Sequence, residues 1–226
     1  MLGADGHPVR EDSDDSFLPP IPLPRRMWAA SKVEFIAPLR PGQSVMRSSR
    51  VAAITEKQGG TGTLVFAEVA HETHGDGELA VRETQTIVFR EPAPASAPPA
   101  PPPGEGRFDP AGWDAHRMLV PSEALLFRYS ALTFNSHRIH YDMPYATEEE
   151  GYRGLVVHGP LTATLLLDLA ARHFGDNALT RFDFRGTSPA ICGEELHLAL
   201  RGDDDAIVLG AFASDGRQVM AASAAR

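Results

Sequence analysis

The 226-residue chain has a single cysteine, Cys192, so no internal disulfide can form and no cysteine-held metal cluster is available. Basic residues are outnumbered 21 to 30, and the net charge of -9 argues against a nucleic-acid partner, which needs a concentrated basic face. A local basic patch could still take an anionic ligand. No stretch approaches the ~18 uninterrupted apolar residues of a membrane span, and no basic region with a following apolar run opens the chain. A reducing, cytoplasmic setting with no membrane partner is the expectation. What remains is ordinary for a soluble globule: 42% hydrophobic and 23% charged residues.

Proline is concentrated in two places. Residues 1–26 are acidic at first (Glu11, Asp12, Asp14, Asp15) and then proline-rich (Pro19, Pro20, Pro22, Pro24), which reads as an extended or partly disordered arm. The run EPAPASAPPAPPPGEGR from Glu91 to Arg107 has seven prolines and no large apolar residue. It cannot pack a core and favours polyproline II, so residues 92–107 read as a semi-rigid linker between residues 27–91 and residues 108–226.

The two halves share a pattern. In the first, Val33-Glu34-Phe35 leads through a proline and Gly42 into Val45–Thr55, then Thr63–His74 and Leu79–Arg90 around the turn Gly75-Asp76-Gly77. In the second, Phe182-Asp183-Phe184 leads through Pro189 and Gly193 into Leu196–Arg201, Ala206–Ser214 and Gln218–Ala224. Each half therefore offers a short strand, a bend and a three-strand meander. Only the second contains a strong helix, Pro160–Phe174, with proline at its start, Leu161, Leu165 and Leu169 on one face, and Gly175 as a stop. The fold expected is α+β, an antiparallel sheet wrapped around a long apolar helix: a double hotdog whose first unit lacks its helix.

Chemistry concentrates between linker and helix, in LFRYSALTFNSHRIHYD (Leu126–Asp142) and GLVVHGP (Gly154–Pro160). An imidazole such as His140 exchanges protons near neutral pH. A backbone N–H at a helix N-terminus, where donors are unpaired, can stabilise an oxyanion, and Gly159 lets a substrate come close. Against this stand plainer readings. A lone histidine such as His116, His158, His173 or His197 is more often a surface or satisfied core residue. His137 and His140, three apart with no third ligand, are weak grounds for zinc, and no metal is expected. Gly59, Gly60 and Gly62 read as a hairpin turn rather than a phosphate loop, and Cys192 as a structural thiol.

The stretches YSALTFNSHRIHYDMPYA and EGYRGLVVHGPLTATLLL resemble the MaoC-like hydratase/dehydratases. Within that group they are most similar to the branch of mesaconyl-C4-CoA hydratase and the type 2 hydroxyacyl-thioester dehydratases. FLPPIPLPRRMWAASKVEFIAPLRPGQSV resembles the first hotdog unit of the same branch. The wider family's motif, Asp-x-Asn-Pro-x-His, places Asn135 at the Asp position, His137 at the Asn, Arg138 at the Pro and His140 at the His. The resemblance thus implies His140 as general base. A carboxamide cannot exchange a proton, so Asn135 is expected to hold the water instead, with Gly159 N–H polarising the thioester carbonyl.

His137, His158, Arg128, Arg138 and Arg153 are candidate substrate contacts. Arg128 and Arg138 could hold a distal carboxylate, bind coenzyme A phosphates, or make a structural ion pair with a carboxylate such as Asp142; Arg153 is a candidate for phosphate. No cofactor is expected beyond the coenzyme A of the substrate. The reaction implied is reversible hydration of a short enoyl-CoA, mesaconyl-C4-CoA to citramalyl-CoA foremost. Dehydration of a 3-hydroxyacyl thioester on coenzyme A or acyl carrier protein, and non-catalytic thioester binding, are the alternatives. Members of this branch carry a further N-terminal segment with a helix, so apolar surface of the first sheet is expected to be exposed or covered in a homodimer.

Overall fold

The alternation of β-branched and small residues that marks the meanders produces, among the described residues, one nine-stranded antiparallel sheet in the order β2-β3-β4-β1-β6-β9-β8-β7-β5. The computed structural model describes residues 1–9, 17–59, 62–92, 94, 96–102, 104–203 and 206–226. The strands are β1 (Arg25–Phe35), β2 (Val45–Gly59), β3 (Gly62–Gly75), β4 (Glu78–Arg90), β5 (Ala115–Leu119), β6 (Arg181–Gly186), β7 (Leu196–Arg201), β8 (Ile207–Ala213) and β9 (Gln218–Ala225).

The repeat seen in the sequence becomes the symmetry of the sheet. Its two halves meet where β1 pairs with β6, Ser31 opposite Phe184 and Val33 opposite Phe182. From this seam β4-β3-β2 run outward on one side and β9-β8-β7 on the other, with β5 added beyond β7. The β3–β4 hairpin turns on Asp76 and Gly77, both at positive φ (50° and 88°), as a tight turn with the twist of its strands requires. Residues 60 and 61, at the expected glycine turn of the β2–β3 hairpin, lie outside the described residues; the flanking Gly59 and Gly62 are paired.

Helix α2 (Gly159–Phe174) lies on the second half, against β7, β5, β8, β9 and the incoming β1. Its Leu161, Leu166, Leu169 and Ala170 pack with Leu196, Leu198, Leu200, Leu209 and Met220, all nearly free of solvent. Each such leucine contributes about 1.5–3 kcal/mol by burial. A second helix, α1 (Glu123–Thr133), is not signalled by the apolar pattern, since only Leu126 is fully buried. Its start is nonetheless written in the sequence, because the Ser122 side chain caps the Leu125 N–H at 3.2 Å.

Among the described residues the first half contributes no helix of its own, and α2 reaches it at β1. The proline-rich arm packs there instead: Ile21 and Leu23 are buried against Val65, Ala67 and Phe89, with Leu18 and Ile87 beside them. The arm is thus packed where it is described, and strand β1 already begins at Arg25. The acidic residues Glu11, Asp12, Asp14 and Asp15 lie outside the described residues. In the linker, Ala100 exchanges backbone hydrogen bonds with Gly151 and Arg153 (2.8 and 3.0 Å), and Gly104 N–H donates to Asp215 at 2.8 Å, so it is fastened to the second half. Apolar side chains are left exposed on the first half, among them Val45, Met46 and Ile54 of the edge strand β2. Within the described residues no helix is long and apolar enough to cross a membrane.

Candidate active site

Helix α1 ends abruptly at Phe134, whose φ of 55° reverses the chain, and the segment Asn135–Asp142 turns back beneath it. The Asn135 carboxamide oxygen accepts the His137 N–H at 3.1 Å, an Asx-type bond that shapes the turn, after which Arg138–His140 form one 3-10 turn. This presents His140 inward, where it is buried. The strand-like run Leu155–Val157 approaches from the other side. It ends at His158, the N-cap of α2, whose ring makes no capping bond.

The two histidines meet face to face. Their ring centroids are 3.6 Å apart and nearly parallel, 19° between planes. His140 Nδ1 lies 2.7 Å from the Val156 carbonyl, so Nδ1 carries the proton and donates it. Its Nε2 is then the lone-pair nitrogen, and it has no hydrogen-bond partner among the described residues. His158 is fully buried; its Nε2 lies 2.8 Å from Ser130 Oγ on α1, and its Nδ1 is buried without a partner among the described residues. Tyr129 sets its ring edge-on to His158 at 4.9 Å.

Burial holds both imidazoles neutral. It drives the His140 pKa well below the ordinary histidine value, and the charge His158 would carry adds to this, with smaller effects from His137 and His7. His158 is lowered to about 4 by burial, then by His137. A neutral imidazole with a free Nε2 is the state in which a histidine can take a proton from water.

Gly159 follows directly, as the first residue of α2. Its N–H makes no hydrogen bond among the described residues, as expected for the first turn of a helix. A side chain there would point at the Trp28 carbonyl, 3.9 Å from the position of its Cβ. Trp28 lies at a bulge in β1, where the register shifts between Trp28 and Ala30, and packs against Phe184. The first half therefore borders the site through Trp28, a residue that motif reasoning passed over.

His137 stands at the outer edge, 5.6 Å from His140 between centroids, with Nε2 3.9 Å from the Glu150 carboxylate. Glu150 is nearly buried. It pairs with Arg25 from β1 and accepts a bond from Tyr145 Oη at 3.1 Å. Burial pushes its carboxyl up, but His137 and Arg25 outweigh this and hold it below its usual range. Glu150, Arg25 and Ser130 are the polar neighbours the sequence reading missed. All three lie inside the stretches that carry the family resemblance, but no spacing marks them as neighbours of the histidines.

The arginines are placed differently from one another. Arg138 directs Nε and Nη2 to Asp142 at 2.9 and 2.8 Å, and lies over the Tyr145 ring. Arg153 forms a two-pronged pair with Glu194 and also reaches the Pro101 carbonyl. Arg128 is exposed on α1, with no ion-pair partner among the described residues. The structure thus brings His137, His140 and His158 together, next to Gly159 and with Asn135 in support; it sets Arg128 and Arg153 outside this cluster and turns Arg138, at its edge, to Asp142. No group of three or more potential metal ligands occurs among the described residues.

Comparison with known proteins gives the arrangement its context. The model of the hydroxyacyl-thioester dehydratase type 2 family matches residues 1–192. A mesaconyl-C(4)-CoA hydratase from Chloroflexus aurantiacus is 45% identical over 224 residues, 99% of this chain and 76% of that protein. A mitochondrial hydroxyacyl-thioester dehydratase type 2 from Schizosaccharomyces pombe is 38% identical over 85 residues, 37% of this chain and 28% of that one. Among solved structures, a Mycobacterium tuberculosis protein described as having a double hotdog fold superposes with a TM-score of 0.59 at 17% identity, covering 89% of this chain and 74% of that one. The chain belongs to the hydroxyacyl-thioester dehydratase type 2 family and has a double hotdog fold.

Proposed function

We propose that the chain is a hydro-lyase that reversibly hydrates a short enoyl-CoA, with mesaconyl-C4-CoA and citramalyl-CoA as the foremost substrate and product. The 45% identity to a mesaconyl-C(4)-CoA hydratase over nearly the whole chain supports the substrate class. The reaction type is supported most by one observation: His140 donates its Nδ1–H to the Val156 carbonyl, which leaves Nε2 unprotonated on a ring stacked against His158, the residue that precedes the first N–H of α2.

In this reading a water held near Asn135 gives a proton to His140 Nε2 while its oxygen bonds to the β-carbon. The electrons of the double bond move to the thioester oxygen, where Gly159 N–H stabilises the enolate. The protonated imidazole then returns a proton to the α-carbon, so that one water has been added and the enzyme is unchanged. Dehydration is the same path reversed. His158 has no free face for substrate, and its part is to wall and orient His140.

The reading that substrate carboxylate or phosphate is held by arginine falls best on Arg128, which is exposed and without an ion-pair partner among the described residues. The exposed apolar residues of β2 support a homodimer. The family description favours a second reading, dehydration of 3-hydroxyacyl thioesters. An absorbance assay of enoyl-thioester loss, comparing mesaconyl-C4-CoA with crotonyl-CoA, separates the two. Preference for mesaconyl-C4-CoA by about tenfold or more in kcat/KM is expected; preference for crotonyl-CoA would overturn the dicarboxylic assignment.

A further inference from the structure

The start of the chain is built into the site. Arg138 N–H donates to the Asp5 carbonyl at 3.0 Å, Arg138 Nη1 donates to the Ala4 carbonyl at 2.8 Å, and Ser136 Oγ donates to the Gly6 carbonyl. Residues 4–6 thereby clasp the same short loop that carries His140, more than a hundred and twenty residues away in sequence. Gly6 has a φ of 84°, and a Cβ there would fall 1.9 Å from the Ser136 carbonyl oxygen, so only glycine allows this approach.

The clasp delivers a side chain. The His7 ring lies on the His137 ring, centroids 4.1 Å apart and tilted by 41°. Asp5 fixes it twice, accepting the His7 N–H at 2.9 Å and lying 3.0 Å from Nδ1. From the other side Arg26 Nη2 donates to the Pro8 carbonyl at 3.2 Å. Four imidazoles thus stand in one continuous column, His7, His137, His140 and His158, running from the surface to the fully buried end at Ser130.

We propose that Asp5 and His7 are positioning residues of the active site: Asp5 orients the His7 ring, and His7 packs on His137 so that the pair closes the outer end of the column over His140. The inference rests on the reading of His140 as the proton-transfer group. Its physical consequence concerns charge. The column is faced by Asp5 from the N-terminal segment, Arg25 and Arg26 from β1, Tyr145 from the turn Tyr145–Glu149 and Glu150 that caps it, and Arg138 from the loop that carries His140. Burial is the main reason that His140 stays neutral, followed by the proximity of His158, His137 and His7. Removing the His7 ring admits water and deletes one neighbouring imidazole. Both changes favour a proton on His140, so the base is lost at a higher pH than in the natural protein.

The test uses His7→Ala, Asp5→Asn and Gly6→Ala in the full chain, with two readouts. In kcat/KM against pH, the acid limb of His7→Ala is expected to move up by about half a pH unit or more, with Gly6→Ala following it and Asp5→Asn moving less. The His140 Cε1–H resonance, followed by NMR, is expected to titrate at correspondingly higher pH; this readout needs no turnover. If the substrate assignment is wrong, the rate assay is silent while the NMR titration still decides the matter. An acid limb and a His140 titration unchanged from the natural protein in His7→Ala would overturn the proposal, leaving His7 as packing only. Should His7→Ala fail to fold, the same unchanged titration in Gly6→Ala and Asp5→Asn overturns it.

Discussion

The Ser130 hydroxyl makes one contact among the hydrogen bonds of the described residues, to His158, and its removal makes a stringent test of how the site is held. His158 is fully buried, its Nδ1 is already without a partner among the described residues, and its Nε2 depends on Ser130 Oγ at 2.8 Å. Ser130→Ala would leave both ring nitrogens unpaired where water does not reach. Stranding a buried acceptor or donor costs about 1–3 kcal/mol, more than the 0.5–1.5 kcal/mol net worth of the bond itself. For a chain of this size that corresponds to a fall in Tm of roughly 3–10 °C.

The loss should propagate, because His140 rests on His158 at 3.6 Å. A wall that tilts misplaces the base, and kcat/KM is expected to fall between about tenfold and a hundredfold. Thermal unfolding followed by circular dichroism at pH 8 measures the first effect, and the enoyl-thioester assay the second. Pairing the mutation with His158→Phe supplies a control, since replacing both partners by apolar groups removes the stranded nitrogens. The double variant should lose less stability than the two single losses added together. A Tm for Ser130→Ala within about 1 °C of the natural protein would refute the reasoning.

Two further outcomes follow from burial. The His7 pKa is lowered to about 4 by burial, then by His137 and Arg26, and the His158 pKa also lies at about 4. The unfolded chain binds these protons at about 6.5, so their contribution to stability is complete above that pH and is lost as pH falls toward 4. His158 alone accounts for about 3 kcal/mol, and a Tm that stays flat between pH 7 and 4.5 would contradict this. Leu23→Ala, which empties part of the contact between the arm and Val65, Ala67 and Phe89, should cost about 2–3 kcal/mol in urea unfolding. A cost below about 0.5 kcal/mol would show that the arm is not part of the first core.

The fold was legible where the signals are local. Helix α2 announces itself by Pro160, its leucines and Gly175, and each meander by alternation broken at Asp76-Gly77 and Asp215-Gly216. Helix α1 escaped because Phe127 and Leu132 project into solvent, so its apolar residues trace no stripe. The loop Asn135–Asp142 was legible as a cluster of chemistry, and it brings His137 and His140 against His158, next to Gly159. The placing of His158 as a wall, and its dependence on Ser130, was not legible, because a stacked ring and a hydroxyl partner leave no spacing pattern. The contacts of the arm were not legible for a related reason: Gly6, His7, Ile21 and Leu23 find partners supplied by distant parts of the chain, which an acidic and proline-rich composition does not signal.

The central claim is that His140, neutral and with Nε2 free, moves the proton. It is tested most directly by kcat/KM for hydration of mesaconyl-C4-CoA by His140→Ala, whose fold is checked by circular dichroism and whose activity is compared with the natural protein at pH 7.5. A loss of about a hundredfold to ten-thousandfold with the fold intact is the result predicted. Activity within a few-fold of the natural protein would contradict the account.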